Sequence, residues 1–288
     1  MKIVVTGGNG KVGRYLVADL AKDHEVVSMD RMGEPSDGAA FVKGDVCNFD
    51  ACLRAFDGAE VVIHLAAIPH PLSDPQPHVW KVNVTSTYNV HEAAAQSGVR
   101  RVVHASSDST LGFCFMDRRF EPEYLPLDET HPCKPQDSYG LSKLTGELIA
   151  QSFTRRVGLE TVALRICLVL FPGVEYCMNV ASETQTKPAS DRKNLWTYNH
   201  VLDVVHAFRL AAETDGLEHE VLFISAADVL AREETMELIQ KYHPTVSDIR
   251  SDLSGHRSLV DYSKATRLLG YEPRHNWREL AGQAAAHQ

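Results

Sequence analysis

Over the first 170 residues, short β-branched runs alternate with longer segments whose apolar residues recur near helical period. That rhythm lays parallel strands between helices that cover both faces of a sheet. The predicted strands are Lys2 to Thr6, Glu25 to Asp30, Ala40 to Lys43, Val61 to Leu65, Arg101 to Ser106 and Thr161 to Ile166. The clearest helices are Lys11 to Lys22, Val79 to Ser97 and Ser138 to Val157. "RMGEPSDG" (31–38) reads as a turn-rich loop and "PHPLSDPQP" (69–77) as a proline-broken connection, both in places that can border a ligand. Beyond Phe171 the alternation gives way to an irregular segment reaching Lys193 and then to mixed elements, where a substrate-covering region would sit.

With 288 residues, the chain can bury one large α/β domain or a main domain with a small appendage. Its 44% hydrophobic and 23% charged residues are those of a globular protein. A net charge of -9, with the basic residues scattered, argues against nucleic acid as a partner. The apolar run Ile3 to Val5 is too short for a signal peptide, and no stretch is long enough to span a membrane, so the expected location is the cytoplasm. The six cysteines (Cys47, Cys52, Cys114, Cys133, Cys167, Cys177) form no CxxC pair and read as reduced thiols, with no metal site expected.

"VVTGGNGKVG" sets Gly7, Gly10 and Gly13 directly between a predicted strand and a predicted helix. Such glycines let the backbone approach a pyrophosphate, which then rests on the positive N-terminus of the helix that begins at Lys11 and Val12. Asp30, closing the second strand, can accept hydrogen bonds from both adenosine ribose hydroxyls and repels a 2'-phosphate, which favours NAD. Arg31 follows it and leaves NADP open. Asp45, followed by Val46, ends the next strand, where it could meet the adenine amino group or cap a loop. "VIHLAA" ends the fourth strand with Leu65, Ala66 and Ala67, leaving room for a cofactor. Asn83 falls inside a helix, where a buried amide needs a partner. "VVHASSDSTLG" closes the fifth strand with Ser106, Ser107 and Asp108. In "SYGLSK", Tyr139 and Lys143 share one helix face, with Asp137 or Ser138 as the cap.

Taken in order, these motifs, together with "SKATRLLGYEP" (263–273), resemble the extended short-chain dehydrogenases/reductases, the NAD-dependent epimerase/dehydratase family, over the whole chain. The resemblance implies an α/β, Rossmann-type doubly wound parallel sheet with a small C-terminal substrate-binding region. Residues 1–170 would form the NAD-binding core with the catalytic residues, and 171–288 would mainly cover substrate, with elements returning to the core. It implies that Tyr139 removes a proton from a sugar hydroxyl while hydride passes to the nicotinamide. Lys143 would favour the phenolate and hold the nicotinamide ribose, and Ser107 would bond the reacting oxygen. Asn83 would support the cofactor site. The resemblance further implies a homodimer, through the helices Val79 to Ser97 and Ser138 to Val157.

Asp108-Ser109 stands where family dehydratases carry Asp-Glu, which argues against water elimination. Nucleotide-sugar epimerases of the family carry an arginine seven residues before the Asp of "HVxDV"; here Trp196 occupies that position, with Arg192 slightly earlier and Arg250 later. Ser107, Asp108, Arg192, Trp196 and Arg250 are therefore the candidate substrate contacts. The strand end, "LRI" and "WTY" segments are similar to the uronate dehydrogenase branch, although that branch has an Asn where Asp108 stands. The reading favoured by sequence is a net sugar dehydrogenase, uronic acids included. A nucleotide-sugar 4-epimerase is the alternative, and a non-catalytic NAD sensor is a third reading, which the intact Ser107, Tyr139 and Lys143 oppose.

Overall fold

A computed structural model describes residues 1–34, 38–172 and 192–278. Seven strands form one parallel sheet: β1 (Lys2–Thr6), β2 (Glu25–Asp30), β3 (Ala39–Lys43), β4 (Val61–His64), β5 (Arg101–Ser107), β6 (Glu160–Ile166) and β9 (His219–Ile224). Their order is β3-β2-β1-β4-β5-β6-β9. The chain runs outward from β1 to β3 and then crosses to β4 on the other side of β1. The C-terminal ends of β1 and β4 therefore flank the point where the winding reverses, the place at which such sheets bind ligands. β7 (Leu168–Leu170) and β8 (Tyr198–His200) pair separately, parallel to each other.

Alternation along the strands divides the core. Ile3 and Val5 of β1 point to one face, against Leu16 and Val17 of α1 (Lys11–Leu20). Phe208 of α5 (Val201–Glu213) joins that same cluster. Val4 points to the other face, where α2 (Phe49–Ala55), α3 (Gln76–Gln96) and α4 (Ser138–Val157) supply Cys52, Val90, Ala94 and Phe153. Two short helices, α6 (Thr235–Tyr242) and α7 (Ser263–Leu269), complete the C-terminal part. A further core of Trp196, Tyr198, Phe223, Leu259 and Trp277 lies there.

Several boundaries differ from the sequence expectation. α3 starts at Gln76 instead of Val79, because Pro77 falls in the first turn, where its missing N–H costs nothing. β5 runs one residue further, to Ser107, which still pairs with Ile166 of β6. α1 stops at Leu20, two residues before Lys22. Residues 173–191 of the expected irregular segment, and Cys177 with them, lie outside the described residues, as do 35–37 of the turn-rich loop. Among the described residues the five cysteines are free thiols, and no helix is long and apolar enough to cross a membrane.

Candidate active site

The first half of the site is made from backbone. After β1 the chain turns at Gly7 with φ +71°, its N–H bonded to Met29 O at 2.8 Å. A Cβ on Gly7 would stand 2.7 Å from Ala66 N, and one on Gly13 would stand 2.2 Å from Gly7 O. The glycine turn is thus folded onto the end of β4, and α1 is folded onto the turn, closer than any side chain allows. Gly10 caps α1 without a side chain, and the first turn carries no acidic residue. The positive helix end therefore faces the cavity of about 450 Å³ that Gly7 and Gly10 line. Lys11 and Val12 open the helix; Val12 faces the neighbouring cavity, while Gly13 serves the close packing.

Asp30 lines the first cavity at the end of β2, with Oδ2 accepting from Asn9 N at 3.1 Å. Its remaining lone pairs suit ribose hydroxyls. Asp45 and Val46 line it too, Asp45 Oδ1 accepting from Cys47 N at 2.8 Å. Leu65, Ala66 and Ala67 complete the wall. Sequence reasoning missed Asn89 of α3, whose amide donates to Val46 O and Cys47 O at 3.1 and 3.0 Å and so holds the loop beside the cavity. Its signal was only its place two turns beyond Lys81 and Val82, which line the cavity from the same helix. Asn83 does not face either cavity. Its Nδ2 donates to Ile68 O at 3.0 Å and to Ser142 Oγ at 3.2 Å, and its Oδ1 accepts from Ile68 N at 2.8 Å. Its amide holds the connection after β4, whose Leu65, Ala66 and Ala67 line the first cavity.

The second half is made from side chains. A cavity of about 490 Å³ shares Leu65 and Ala67 with the first and is lined by Ser107, Asp108, Tyr139 and Lys143. Asp137 caps α4, accepting from Tyr139 N at 2.9 Å and Gly140 N at 2.8 Å, and so fixes the turn that carries Tyr139. Lys143 follows one turn later, with Nζ 5.6 Å from the Tyr139 ring centroid and donating to Ala105 O at 2.8 Å. Ser107 Oγ donates to Asp108 Oδ1 at 3.0 Å and accepts from Ser109 N at 3.1 Å.

Burial governs the titration of this wall. It pushes the Tyr139 phenol above its ordinary value, with the facing Ser107 hydroxyl pulling partly back. It brings the Lys143 ammonium down to about 8. It raises the Asp108 carboxyl to about 6, against the hydrogen bonds from Ser107, Cys114 and Ser109. The ammonium alone does not make Tyr139 a phenolate here. Near Lys143, three buried histidines are held neutral, His91 at about 4 and His64 and His104 well below the ordinary value.

Under the serine strand, Glu147 of α4 accepts Ser106 Oγ at 2.6 Å and a two-pronged contact from Arg165, at 2.9 and 2.8 Å. Both charged side chains are about 5% exposed. Sequence reasoning missed this pair, although Glu147 sits one turn beyond Lys143. It also missed Cys114, Phe115, Cys167, Lys193 and Asn194 in the cavity wall, which come from segments without periodic pattern.

The remaining substrate candidates are not brought together. Trp196 is wholly enclosed, packed against Tyr242 and His243, so it offers no surface to a ligand. Arg250 lies outside the cavity, its guanidinium 3.3 Å over the Tyr124 ring and paired with Asp248 at 2.9 Å. Arg192 is exposed, and its carbonyl accepts from His243 Nε2 at 3.0 Å; its neighbours Lys193 and Asn194 line the cavity instead.

The profile of the NAD dependent epimerase/dehydratase family matches residues 3–225. The chain belongs to that family. With it comes NAD, which the residues fit: an open helix N-terminus for the pyrophosphate and the Asp30 carboxylate for the ribose. Family relatives include an L-arabinose 1-dehydrogenase (NAD(P)(+)) of Haloferax volcanii, 37% identical over 170 residues, 57% of this chain and 66% of that enzyme. This chain thus aligns with just under two thirds of the archaeal enzyme. A UDP-glucose 4-epimerase of Corynebacterium glutamicum is 26% identical over 314 aligned positions, 96% of this chain and 92% of that protein. Among solved structures, MoeE5 in complex with UDP-glucuronic acid and NAD superposes with a TM-score of 0.73 at 26% identity, covering 98% of this chain and 97% of that one. Family members thus include sugar dehydrogenases and nucleotide-sugar epimerases.

Proposed function

We propose that this family member is a net sugar dehydrogenase: it removes hydride from a carbinol carbon of a free sugar and leaves a carbonyl. The observation that carries the reading is the convergence of Ser107, Tyr139 and Lys143 on one wall of the cavity that opens into the glycine-lined one. When bound, NAD supplies the hydride acceptor. The chain supplies Tyr139 to take the hydroxyl proton, Lys143 as a cation in the same wall, and around them the Ser107 and Ser109 hydroxyls, the Cys114 and Cys167 thiols and the Asp108 carboxyl. The similarity to the L-arabinose 1-dehydrogenase supports the net reaction. The epimerase relative that spans nearly the whole chain supports a second reading, a nucleotide-sugar 4-epimerase in which hydride returns to the opposite face. A panel of free aldoses, uronic acids and nucleotide sugars, followed by NADH absorbance, separates the two. Net NADH from a free sugar is the expected outcome. Epimerised nucleotide sugar without NADH supports the second reading, and cofactor binding with no turnover overturns both.

The same reading includes a homodimer. Trp80 and Tyr88 of α3 and Leu141 and Leu148 of α4 are exposed on two helices that pack side by side. A two-fold contact would cover them as a four-helix face. Light scattering that gives a monomer overturns this.

A further inference from the structure

Three segments of the chain meet on one ring inside the second cavity. Phe115, partly exposed in its wall, stands edge-to-face to His70 of the connection after β4, with ring centroids 4.9 Å apart, and to Tyr139 of α4 at 6.3 Å. Lys193, from the short 192–194 helix, brings its Nζ to 5.9 Å from the same ring centroid. An aromatic ring in such a wall gives a ligand an apolar surface, and the few polar groups beside it fix what binds there and how it is turned.

The polar groups beside Phe115 are donors. His70 Nδ1 accepts from Leu72 N at 3.1 Å, so the ring proton sits on Nε2, which meets no acceptor among the described residues. Lys193 carries three N–H donors and meets no carboxylate among the described residues; its contact is the Phe115 ring. Asp108, the one acid among the described lining residues, accepts from Ser107 at 3.0 Å and makes no ion pair with Lys193. Lys143, the other cation of the wall, donates to Ala105 O at 2.8 Å beside Tyr139. No arginine is among the described lining residues, so a charged contact away from Tyr139 falls to Lys193. An ammonium in a cavity wall without a counter-ion favours a ligand that brings one.

We infer that Phe115, His70 and Lys193 form the subsite that selects the sugar, and that the sugar it selects carries an anionic group, a carboxylate or a phosphate ester, away from the reacting carbinol; this role rests on the dehydrogenase reading above. With the carbinol oxygen at Tyr139 and Ser107, the C–H groups of the sugar lie against Phe115. The anionic group then meets the Lys193 ammonium and the His70 N–H, which approach that same ring. Phe115 orients the sugar, and Lys193 decides which sugars are kept. Lys193 is exposed, so solvent screens the pairing and the expected preference for an acid over its neutral parent is about 5 to 10-fold.

Matched sets test the subsite: glucose and galactose, each as the parent hexose, as its uronic acid and as its phosphate ester on the primary hydroxyl. The better acid of a set is expected to exceed the parent in kcat/KM by that factor, through KM. Lys193→Met is expected to remove most of the ratio and Lys193→Arg to keep it, while Phe115→Leu raises KM for parent and acid alike. The acid that gains more, carboxylate or phosphate ester, identifies the group. A parent hexose that equals both acids, or a preference that survives in Lys193→Met, overturns the subsite. Binding of the same sets to the protein loaded with NADH, read by saturation-transfer NMR, needs no turnover. Acid-selective binding that Lys193→Met abolishes, without oxidation of any sugar, ends the dehydrogenase reading while the subsite stands. Binding without selectivity, or no binding at all, overturns the subsite.

Discussion

The two halves of the cleft are built by different means. The cofactor half is drawn mainly from consecutive backbone: a turn at Gly7, a helix start at Gly10 and the strand ends at Asp30 and Leu65. The chemical half is assembled from side chains that arrive from β5, α4, the end of β6 and residues 193–194. The first half tolerates little variation at its glycines and adds to them the Asp30 carboxylate. The second depends on titratable groups in a buried wall, so its behaviour should change with pH and with conservative substitutions.

Four experiments bear on that contrast. The largest effect is expected from Tyr139→Phe, which removes one oxygen from the side-chain half. Turnover should fall by about 10² to 10⁴-fold while calorimetric NAD affinity changes little; full activity would show that Tyr139 is not the base. Next comes Glu147→Gln, which leaves the Arg165 guanidinium buried without its carboxylate. Denaturant unfolding should show a loss of about 3–5 kcal/mol, and a loss below 1 kcal/mol would mean that water reaches the pair.

Acid acts on the same half. His64, His91 and His104 are neutral when folded, burial bringing His91 down to about 4 and pushing His64 and His104 well below the ordinary value. In the unfolded chain they titrate near 6.5. Between those values the unfolded state binds the extra protons, so stability is full above about pH 6.5 and falls as pH drops towards 4. The change should be of the order of a few kcal/mol, read from chemical denaturation at stepped pH. A flat profile in that window would mean that these histidines are hydrated. The smallest stability effect is assigned to Gly13→Ala. Its Cβ would meet Gly7 O, so about 1–3 kcal/mol should be lost, and NAD affinity should fall more than stability does. Unchanged NAD binding would break the claim that backbone closeness makes that half.

The same contrast explains what sequence could show. β1 and β2 were legible to the residue because β-branched alternation and glycine punctuation are local signals. Gly7 and Asp30, on one cavity, and Ser107, Tyr139 and Lys143, on its neighbour, were legible as candidates because they sit at or near predictable strand or helix ends. Glu147 and Arg165 were not, since a buried ion pair between a helix and a strand leaves no spacing signature. Trp196 and Arg250 were proposed from their place relative to family motifs, and the fold spends one on core packing and sets the other over the buried Tyr124 ring. Cys114 reaches the cavity from irregular backbone, and Lys193 and Asn194 from a single short helical turn, too brief for any period to announce which way a side chain turns.

Asn83 gives the connection after β4 something a loop seldom has. Its amide both donates to and accepts from Ile68, as a neighbouring strand would, and the same nitrogen touches Ser142 on α4. The Ile68 amide proton therefore becomes a gauge of whether α3 and α4 are seated. Its hydrogen exchange should follow the opening of that helix pair, and with it the opening of the cleft's shared wall.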